Sequence, residues 1–444
     1  MTLLLGATSL DVTPPPGHRL DGYAARTSPA VGTADPLCVT MIWLSTEDDP
    51  GVLWLSLDAI AAGTALTAEL AAAASVATGI PADRVLVCAS HTHSGPSGWS
   101  GAIHPVIPAD REPSLYKPLI AAVESASLPR RPVTASWHSA DIAGVGTNRY
   151  RANGPHDNTA GALALRRYDG TLAAVLLDYA CHPTTYGPEN LLYSPDFPAT
   201  TRTALKTLTP PPTGPSVSGF SGEGPVVSPS GEGPVVGYLQ GAAGDVSPRF
   251  TRQGRDAAEV RRLGGLLAAP IIASLAEDGL AVPAEAPRIR RTTVRLPVRA
   301  LPPTEEIAAT IEAAGQAVSH HCAAGAEAPA ARIAQTRLDG ARGQSAMRNA
   351  GLPEAYDLPV SVVTLGNIAW IHLPVEPFAT HGLHLQAESP YPITRVVGYT
   401  DGYFGYLVDP AAHTAGTYEA LISFFDPPTT THLLTTTLTL LTPH

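Results

Sequence analysis

One stretch of sequence limits the possible folds of this chain more than any other. The apolar, β-branched run at residues 84–89 leads directly into Ser-His-Thr-His-Ser-Gly-Pro at 90–96, and such a run is typical of a buried strand. Because residues two apart in an extended chain face the same side, His91 and His93 are predicted to project into one pocket. Such a pair fits a metal site, but two strand-end histidines bonded to the backbone would show the same spacing.

Segments typical of helices and strands alternate on both sides of this stretch. The alternation predicts a mixed α/β fold, with a mixed sheet core and surrounding helices. A strand–helix–strand unit is expected where an alanine-rich helical segment precedes residue 84. The main predicted strands are 52–57, 84–89, 171–179, 235–239 and 288–298, and the main predicted helices are 64–78, 113–127, 199–208, 256–277 and 303–338.

The composition excludes several classes of function. The 444 residues carry 28 Lys+Arg against 39 Asp+Glu, a net charge of -11, which argues against a general binder of nucleic acid or anionic membranes. Only Lys117 and Lys206 are lysines, so there is no Gly-Lys-Ser/Thr phosphate loop and nucleotide hydrolysis is not expected. The four cysteines form no Cys-x-x-Cys pair, which argues against a zinc knuckle or a dense disulfide framework.

The distribution of apolar residues also bears on location. No apolar run approaches the ~20 residues that a membrane-spanning helix needs. The N-terminal Leu3-Leu4-Leu5 lacks a basic flank and Asp11 interrupts it, so no secretion signal is predicted. We therefore expect a cytoplasmic protein whose partner is a small molecule, while the oligomeric state is not determined by the sequence.

Polar side chains follow several other predicted strands. His182 comes after the strand at 171–179, and Glu376 comes after a later apolar run. Both can be ligands at the same rim as His91, although a glutamate at a helix N-terminus is the alternative for Glu376. Ser247 lies in a glycine-rich turn after another strand, which fits either a nucleophile or an ordinary turn.

Other polar residues lie in loops and at one further strand end. Arg149 belongs to a glycine-rich loop, where a solvated charge and a clamp for an anion or carbonyl are both possible. His18 and Arg26 are the polar candidates in the proline-rich N-terminal loop, a kind of loop that often reaches an active site, but we favour solvent exposure for both. Asp58 ends a predicted strand and can either support a ligand or cap the next helix; we favour the cap.

Residues 209–236 form a proline- and glycine-rich insertion. Ser-Gly-Glu-Gly-Pro-Val-Val occurs at 221–227 and again at 230–236, which indicates a local duplication. The second copy leads into a predicted strand and the first has no partner, so we expect a flexible surface loop.

Taken together, these stretches resemble the neutral/alkaline (non-lysosomal) ceramidase family, specifically its N-terminal catalytic domain. The matching motifs occur in the order of that family and span nearly the whole chain. They are Asp11-Val12-Thr13-Pro14, His91-Thr92-His93-Ser94-Gly95-Pro96, Asn148-Arg149, His182-Pro183-Thr184, Asp196-Phe197-Pro198, Gly244-Asp245-Val246-Ser247-Pro248, Pro374-Val375-Glu376 and the segment from Gly398-Tyr399 through Tyr406.

The resemblance implies a zinc (Zn²⁺) site. By motif match its ligands are His91, His182, Glu376 and Tyr406, with Tyr403 as the alternative to Tyr406. Two neutral imidazoles and a carboxylate suit this ion, and a weak phenol ligand leaves room for water or a carbonyl oxygen.

The resemblance also implies catalytic roles. His93 is placed beside the substrate carbonyl, Arg149 lies near a product carboxylate or transition-state oxygen, and Ser247 matches the serine assigned as nucleophile. Asn148 and Tyr403 are expected to contact the substrate. Because zinc can lower the pKa of bound water to about 7, either activated water or Ser247 can be the nucleophile.

The implied function is zinc-dependent hydrolysis of the amide bond of an N-acyl compound. His93 would transfer the proton, and Arg149 would stabilise the tetrahedral oxyanion. Two alternatives remain open. The first is a metal-independent serine esterase or acyltransferase that uses Ser247 with His93, and the second is a non-catalytic binding homologue.

Departures from the family pattern concern the substrate. Ser97-Gly98 replaces a glycine pair, Thr185-Tyr186 replaces Ser-Met, and the Asn-Arg loop continues differently from Tyr150 onward. The chain also ends without the C-terminal immunoglobulin-like domain of the family, so we expect a single catalytic domain over residues 1–444. These differences favour a soluble N-acyl metabolite over a ceramide-like lipid.

Overall fold

The computed structural model of the protein describes residues 1–107, 110–208, 233–323 and 329–442. Strands and helices alternate along these residues, and the mixed α/β class predicted from the sequence is confirmed. The strands are β1 Leu4–Asp11, β2 Gly32–Thr33, β3 Cys38–Ser45, β4 Val52–Leu57, β5 Val85–Ala89, β6 Arg131–Pro132, β7 Thr134–Asp141, β8 Thr147–Asn148, β9 Thr159–Arg166, β10 Leu172–Tyr179, β11 Leu192–Tyr193, β12 Val235–Gln240, β13 Val246–Ser247, β14 Leu280–Val282, β15 Arg288–Pro297, β16 Ala355–Leu365, β17 Ile368–His372, β18 Glu376–Pro377, β19 Ile393–Val397 and β20 Tyr406–Leu407. The α-helices are α1 Thr64–Thr78, α2 Pro113–Glu124, α3 Phe197–Lys206, α4 Ala257–Leu275, α5 Thr304–Ala323, α6 Pro329–Asn349, α7 Ala379–Ala387, α8 Pro410–Ala415, α9 Tyr418–Ile422 and α10 Pro427–Leu441.

Three larger sheets carry the architecture. The first has the strand order β5-β4-β3-β1-β6, the second β12-β10-β9-β7-β14, and the third β15-β16-β17-β19. Each sheet contains one parallel pair, namely β4 with β5, β10 with β12, and β17 with β19. Because parallel strands run in the same direction, the carboxyl ends of each pair lie at one edge of its sheet.

The three sheets pack against one another through a shared core. Trp54 of the first sheet, Trp137 of the second and Trp370 of the third lie at its centre, with ring centroids 5.8 Å apart for Trp54 and Trp370 and 5.9 Å for Trp137 and Trp370. Aromatic pairs at such distances add about 0.5–1.5 kcal/mol each to the free energy of burial. The inner face of every sheet is therefore fixed relative to the other two.

Helices cover the outer faces of these sheets. Leu66 of α1 and Leu119 of α2 pack on the first sheet, and Leu263 of α4 packs on the second. Leu433 of α10 and its apolar neighbours pack on the third sheet. With both faces covered, strands such as β4 and β5 are apolar at nearly every position, which explains why they were recognisable in the sequence.

One buried glutamine joins the ends of the three parallel pairs. Gln240 ends β12, its side-chain amide donates to the carbonyls of Cys181 (2.8 Å) and Ser90 (3.4 Å), and its Oε1 accepts from the Cys181 amide at 3.2 Å. Its own carbonyl accepts from the Gly398 amide at 3.0 Å. The chain segments that leave β5, β10 and β19 are thus held side by side, and the candidate site is built from these segments.

Most predicted elements are present, with two corrections. The segment at 303–338, predicted to be helical with polar breaks, contains α5 and the start of α6 as two separate helices. The expectation that Asp58 caps the next helix is wrong, because α1 begins after Gly63. The Asp58 carboxylate instead accepts from the Cys38 amide at 2.8 Å and forms a buried ion pair with Arg202 of α3, at 2.6 and 2.9 Å.

Three further expectations concern the loop at 209–236, membrane-spanning helices and the domain boundary. The predicted loop at 209–236 lies largely outside the described residues, which resume at residue 233, and β12 begins at Val235 within the second repeat. In the described parts of the chain, no helix combines the length and apolarity needed to cross a bilayer. The single-domain boundary at 1–444 stays a prediction.

Candidate metal centre and active site

His91 reaches the site through a left-handed backbone conformation. Strand β5 ends at Ala89, and His91 has a φ angle of 64°. From the sequence, the shared direction of His91 and His93 is explained by the alternation of side chains along a strand. That explanation is wrong, because the strand has ended and His91 is not in an extended conformation. The side chains nevertheless converge, with ring centroids 5.0 Å apart. A non-glycine residue in this conformation is uncommon and is found disproportionately at functional sites.

His182 follows β10 and is completely buried. Its backbone amide donates to the Val246 carbonyl at 2.9 Å, which joins the end of β10 to the turn before Ser247. Its ring Nδ1 lies 2.7 Å from the Ala243 carbonyl oxygen. The ring is thereby oriented with Nε2 toward His91, whose ring centroid lies 4.5 Å away.

Glu376 supplies a carboxylate from the segment that follows strand β17 of the third sheet. It opens the two-residue strand β18, which pairs with β20 so that Glu376 stands opposite Tyr406. Its Oε2 lies 3.3 Å from Nε2 of His91 and 3.2 Å from Nε2 of His182. The alternative of a glutamate that serves only a helix N-terminus is not what the structure shows, since this carboxylate is buried between two imidazoles.

The hydrogen bonds of the His91 and His182 rings define which of their nitrogen atoms are free to bind a metal. Nδ1 of His91 lies 2.7 Å from the Ile60 carbonyl and Nδ1 of His182 lies 2.7 Å from the Ala243 carbonyl. A carbonyl can only accept, so both Nδ1 atoms carry a proton, and in the neutral form that a metal ligand requires both Nε2 atoms present lone pairs. Two lone pairs and a carboxylate oxygen then face one another, which is unfavourable unless a cation lies between them.

The donor set fits zinc in type and spacing. Ligands at 2.0–2.1 Å around a tetrahedral ion lie about 3.3–3.4 Å apart, close to the separations between Glu376 and the two rings. Burial, and then the charge of Arg149, lowers the pKa of His182 to about 4, so this ring is neutral near pH 7 as a ligand must be. Imidazole bonded through its other nitrogen to a carbonyl is the usual arrangement around a bound metal.

His93 lies in the same cluster. Its Nδ1 is 3.0 Å from the Gly22 carbonyl, and its Nε2 is 3.4 Å from Nε2 of His91. Ligand atoms of His91, His93 and His182 all lie within 4.8 Å of one another, so the three histidines can hold a metal ion. Burial, followed by the charges of His91 and His182, lowers the pKa of His93 well below its usual value.

The two candidate tyrosines occupy different positions around Glu376. The Tyr403 hydroxyl donates a short hydrogen bond to Glu376 Oε1, and the Tyr399 hydroxyl donates to Oε2 at 3.2 Å. The ring of Tyr406 lies beneath the Arg149 guanidinium, with Cζ 5.5 Å from its centroid. All three are buried, and burial raises the pKa of Tyr406 well above its usual value.

Arg149 is buried at this site, so the solvated-loop alternative is wrong. One of its terminal nitrogens, Nη1, lies 3.4 Å from Nε2 of His182, and Nη2 forms a close ion pair with Glu419 of α9. Although burial opposes a charge, the Glu419 carboxylate raises the pKa of Arg149 well above its usual value. A permanent positive charge therefore stands beside the histidine cluster.

Asn148 and Ser247 lie on one pair of short strands. In the β8–β13 ladder, Asn148 stands opposite Val246 and Ser247 opposite Thr147. The Asn148 side chain donates to Asp245 Oδ2 at 2.7 Å and to the Pro155 carbonyl at 3.3 Å, which shapes the loop that presents Arg149. Ser247 is buried, and within the described part of the chain no hydrogen bond joins its hydroxyl to His93.

Sequence reasoning missed several residues that build the site. Tyr399 stacks on His91 with ring centroids 4.2 Å apart, and Glu419 neutralises Arg149. Arg26 was expected in solvent, yet it is 2% exposed and donates to the His93 carbonyl at 2.7 Å. Two of them carried a signal: Tyr399 lies in the aromatic, glycine-rich segment after β19, and Arg26 lies in a proline-rich loop of the kind that often reaches an active site.

Comparison with known proteins supports the fold. No protein-family model matches the chain, and no curated protein matches it. Among solved structures it is similar to neutral ceramidase from Pseudomonas aeruginosa, with a TM-score of 0.72 and 16% identity over 99% of this chain and 74% of that chain. A ceramidase complexed with C2 matches with a TM-score of 0.72, 15% identity and the same coverage. The neutral ceramidase-like fold implied by the sequence motifs is therefore confirmed.

Proposed function

We propose that this protein is a zinc-dependent hydrolase that cleaves the amide bond of an N-acyl compound. The observation that carries the proposal is that Nε2 of His91 and Nε2 of His182 lie 3.3 and 3.2 Å from the same carboxylate oxygen, Oε2 of Glu376. The likeness of the whole fold to solved ceramidases supports the same reaction class. His91, His182 and Glu376 would hold the ion, and Tyr406 is the proposed fourth ligand.

The protein residues divide the chemistry among them. Bound zinc would supply Lewis-acid polarisation and lower the pKa of water to about 7. The neutral His93 ring, oriented by the Gly22 carbonyl, is placed to accept and return a proton through Nε2. The buried guanidinium of Arg149 is placed to donate to the oxyanion, a contribution whose loss costs on the order of 100-fold or more in turnover.

Three further residue assignments belong to the proposal. Ser247, two residues after Asp245 in the turn bonded to His182, either attacks the carbonyl or orients the substrate. Asn148 and Tyr403 already have protein partners, so their substrate contacts remain predictions and their support of Arg149 and Glu376 is the more direct role. The substrate we propose is a soluble N-acyl metabolite.

The test combines metal analysis with turnover. Wild type should contain about one zinc ion per chain and hydrolyse members of a panel of short N-acyl amides, whereas His91→Ala and His182→Ala should lose both zinc and activity. His93→Ala should keep zinc and lose turnover. His138→Ala is the matched control, because His138 is a buried histidine on β7 whose Nδ1 lies 2.8 Å from the Ser274 carbonyl.

The same experiment separates the alternatives. A wild type that is free of metal yet fully active, and inactive as Ser247→Ala, would replace the proposal with the serine esterase or acyltransferase. Stoichiometric zinc and binding of an amide without any turnover would identify a non-catalytic homologue. The metal analysis thus separates the proposal from the first alternative, and the turnover assay separates it from the second.

A further inference from the structure

A group of arginines lies beside the candidate site. Arg249 lies on the short 3-10 helix Pro248–Phe250, which directly follows Ser247. Arg252 lies two residues after the end of this helix. Arg249 Nη1 donates to the Arg149 carbonyl at 3.0 Å, and Arg252 Nη1 donates to the Thr184 carbonyl at 2.7 Å. The two guanidinium groups therefore rest against the backbone segments that carry Arg149 and His182.

A third arginine links this group to the proton-transfer histidine. The Arg26 guanidinium lies over the Tyr23 ring, with Cζ 4.9 Å from the centroid, and the Tyr23 ring centroid lies 5.1 Å from that of His93. Burial raises the pKa of the Tyr23 hydroxyl to about 12, while the charges of Arg252 and Arg26 both act to lower it. The positive charges therefore border the space next to His93 rather than a remote surface.

Among the residues that the structure describes, neither Arg249 nor Arg252 lies within ion-pair distance of a carboxylate. The acidic groups that act on Arg252 are engaged elsewhere: Asp196 accepts from the amides of Tyr186 and Phe197, and Glu189 lies 3.6 Å from Arg255. This local excess contrasts with the net charge of -11 for the whole chain.

The excess is unfavourable unless an anion is present. Both side chains are partly buried, and burial, followed by the charges of Arg149 and Arg252, lowers the pKa of Arg249 to about 10. The guanidinium is still protonated near pH 7, so like charges remain close together in a partly desolvated place. A bound anion would relieve that repulsion, and a guanidinium can bind a carboxylate with two parallel hydrogen bonds.

We propose that the substrate carries a carboxylate, which Arg249 and Arg252 bind while the amide bond lies at the histidine cluster. This inference rests on the proposed function and narrows its substrate class to anionic N-acyl compounds. The carboxylate can belong to the amine, as in an N-acyl amino acid, or to the acyl part, as in the monoamide of a dicarboxylic acid. A neutral amide of the ceramide type lacks the group that this arginine pair recognises.

The test compares matched substrates on wild type and variants. N-decanoylglycine and the neutral N-decanoylglycinamide form the first pair, and adipic acid mono-N-butylamide and N-butylhexanamide form the second, so the two pairs distinguish an anion on the amine from one on the acyl part. Wild type should prefer the anionic member of at least one pair by tenfold or more in kcat/KM. The preference should weaken as salt is raised, because exposed charge interactions are screened.

The variants assign the preference to particular residues. Arg249→Gln combined with Arg252→Gln should lower the anionic-to-neutral ratio of kcat/KM by about ten- to a hundredfold, mainly through KM, which is the loss expected when charge-assisted hydrogen bonds are removed. Arg295→Gln is the control, because Arg295 is 67% exposed and pairs with Asp357 on the third sheet; its ratio should equal that of wild type. Arg249→Lys keeps the positive charge but loses the two parallel N–H donors of the guanidinium. It replaces the double glutamine variant if that protein does not fold.

The outcomes separate this inference from the proposed function. Efficient hydrolysis of the neutral amides, with a ratio that the arginine variants do not change, would overturn the inference and leave the amidase proposal standing. If wild type hydrolyses no member of the panel, the amidase proposal fails, and calorimetric binding of N-decanoylglycine and N-decanoylglycinamide decides the inference. Preferential binding of the acid that is lost in the double variant would support it; equal or absent binding would overturn it.

Discussion

Glu376 is the most heavily supported side chain of the candidate metal centre. Each of its carboxylate oxygens accepts a tyrosine hydroxyl, Oε1 from Tyr403 and Oε2 from Tyr399. Donors to both oxygens favour the ionised form and prevent rotation of the carboxylate, so the oxygen that faces the histidines is fixed. Groups that orient metal ligands in this way typically contribute 10–100-fold to affinity.

Tyr403→Phe should therefore weaken zinc binding about 10–100-fold while leaving the fold intact. The ring stays buried and only the hydroxyl that holds Glu376 Oε1 is lost. The measurement is a zinc dissociation constant from competition with a chelator. Tyr193→Phe is the control, since Tyr193 is fully buried and its hydroxyl has no hydrogen-bond partner among the described residues. Equal affinity in both variants would show that Tyr403 does not orient the ligand.

The ion pair between Arg149 and Glu419 yields a prediction about stability. Glu419→Gln removes the charge but keeps the shape, so the Arg149 guanidinium is left buried without its counter-ion. Breaking a buried pair in this way costs about 3–5 kcal/mol, and we expect a loss of that size in the free energy of unfolding from urea titration. Asp357→Asn breaks the exposed pair with Arg295 and should cost less than about 1 kcal/mol. Similar losses in the two variants would contradict the prediction.

At the residue scale the sequence indicates the candidate metal ligands better than it indicates the residues around them. His91, His182 and Glu376 could be found because each follows an apolar strand. The left-handed backbone at His91 and the carbonyls of Ile60 and Ala243 could not, because they depend on chain segments far apart in sequence. Glu419 has no local pattern that distinguishes it from any helical glutamate, and only the packing of α9 brings it to Arg149.

At the scale of elements, the strands could be predicted from the sequence, but the strands with which each of them pairs could not. β4, β5 and β10 are apolar at nearly every position, and α1 has the bounds that its alanine-rich pattern predicts. The order of strands within the sheets depends on long-range pairing, for which the local pattern carries no information. Asp58 illustrates the difference, because its role as partner of Arg202 follows from the packing of α3 on the end of β4.

The packing of α3 against α4 yields a prediction that two adjacent glycines can test. A Cβ at Gly264 would lie 2.5 Å from the Thr200 Cβ and 2.8 Å from the Phe197 carbonyl oxygen, whereas a Cβ at Gly265 would have no neighbour within 4 Å. Gly265→Ala should raise the free energy of unfolding by up to about 1 kcal/mol through helix propensity. Gly264→Ala should lower it by about 1–3 kcal/mol because α3 must shift. Stabilisation by both substitutions would mean that the helices are less closely packed.

At the scale of the whole molecule, the candidate metal ligands join three sheets. His91 follows a strand of the first sheet, His182 a strand of the second, and Glu376 a strand of the third. The core around Trp54, Trp137 and Trp370 fixes the sheets on one side, while the ligands would fix their carboxyl ends on the other. A bound ion would therefore act as a cross-link that only the folded chain can form.

Removal of the metal should consequently lower the stability of the whole protein. A ligand that binds only the folded state stabilises it by an amount that grows with the logarithm of its concentration, about 4 kcal/mol at roughly 1,000 times its Kd. Excess chelator should lower the Tm of wild type, and added zinc should restore it progressively. In His182→Ala the Tm should be low at the start and unresponsive to either treatment. If chelator left the Tm of zinc-loaded wild type unchanged, the ion would be bound elsewhere, because a cation between these three buried side chains cannot leave without exposing their acceptor atoms to one another.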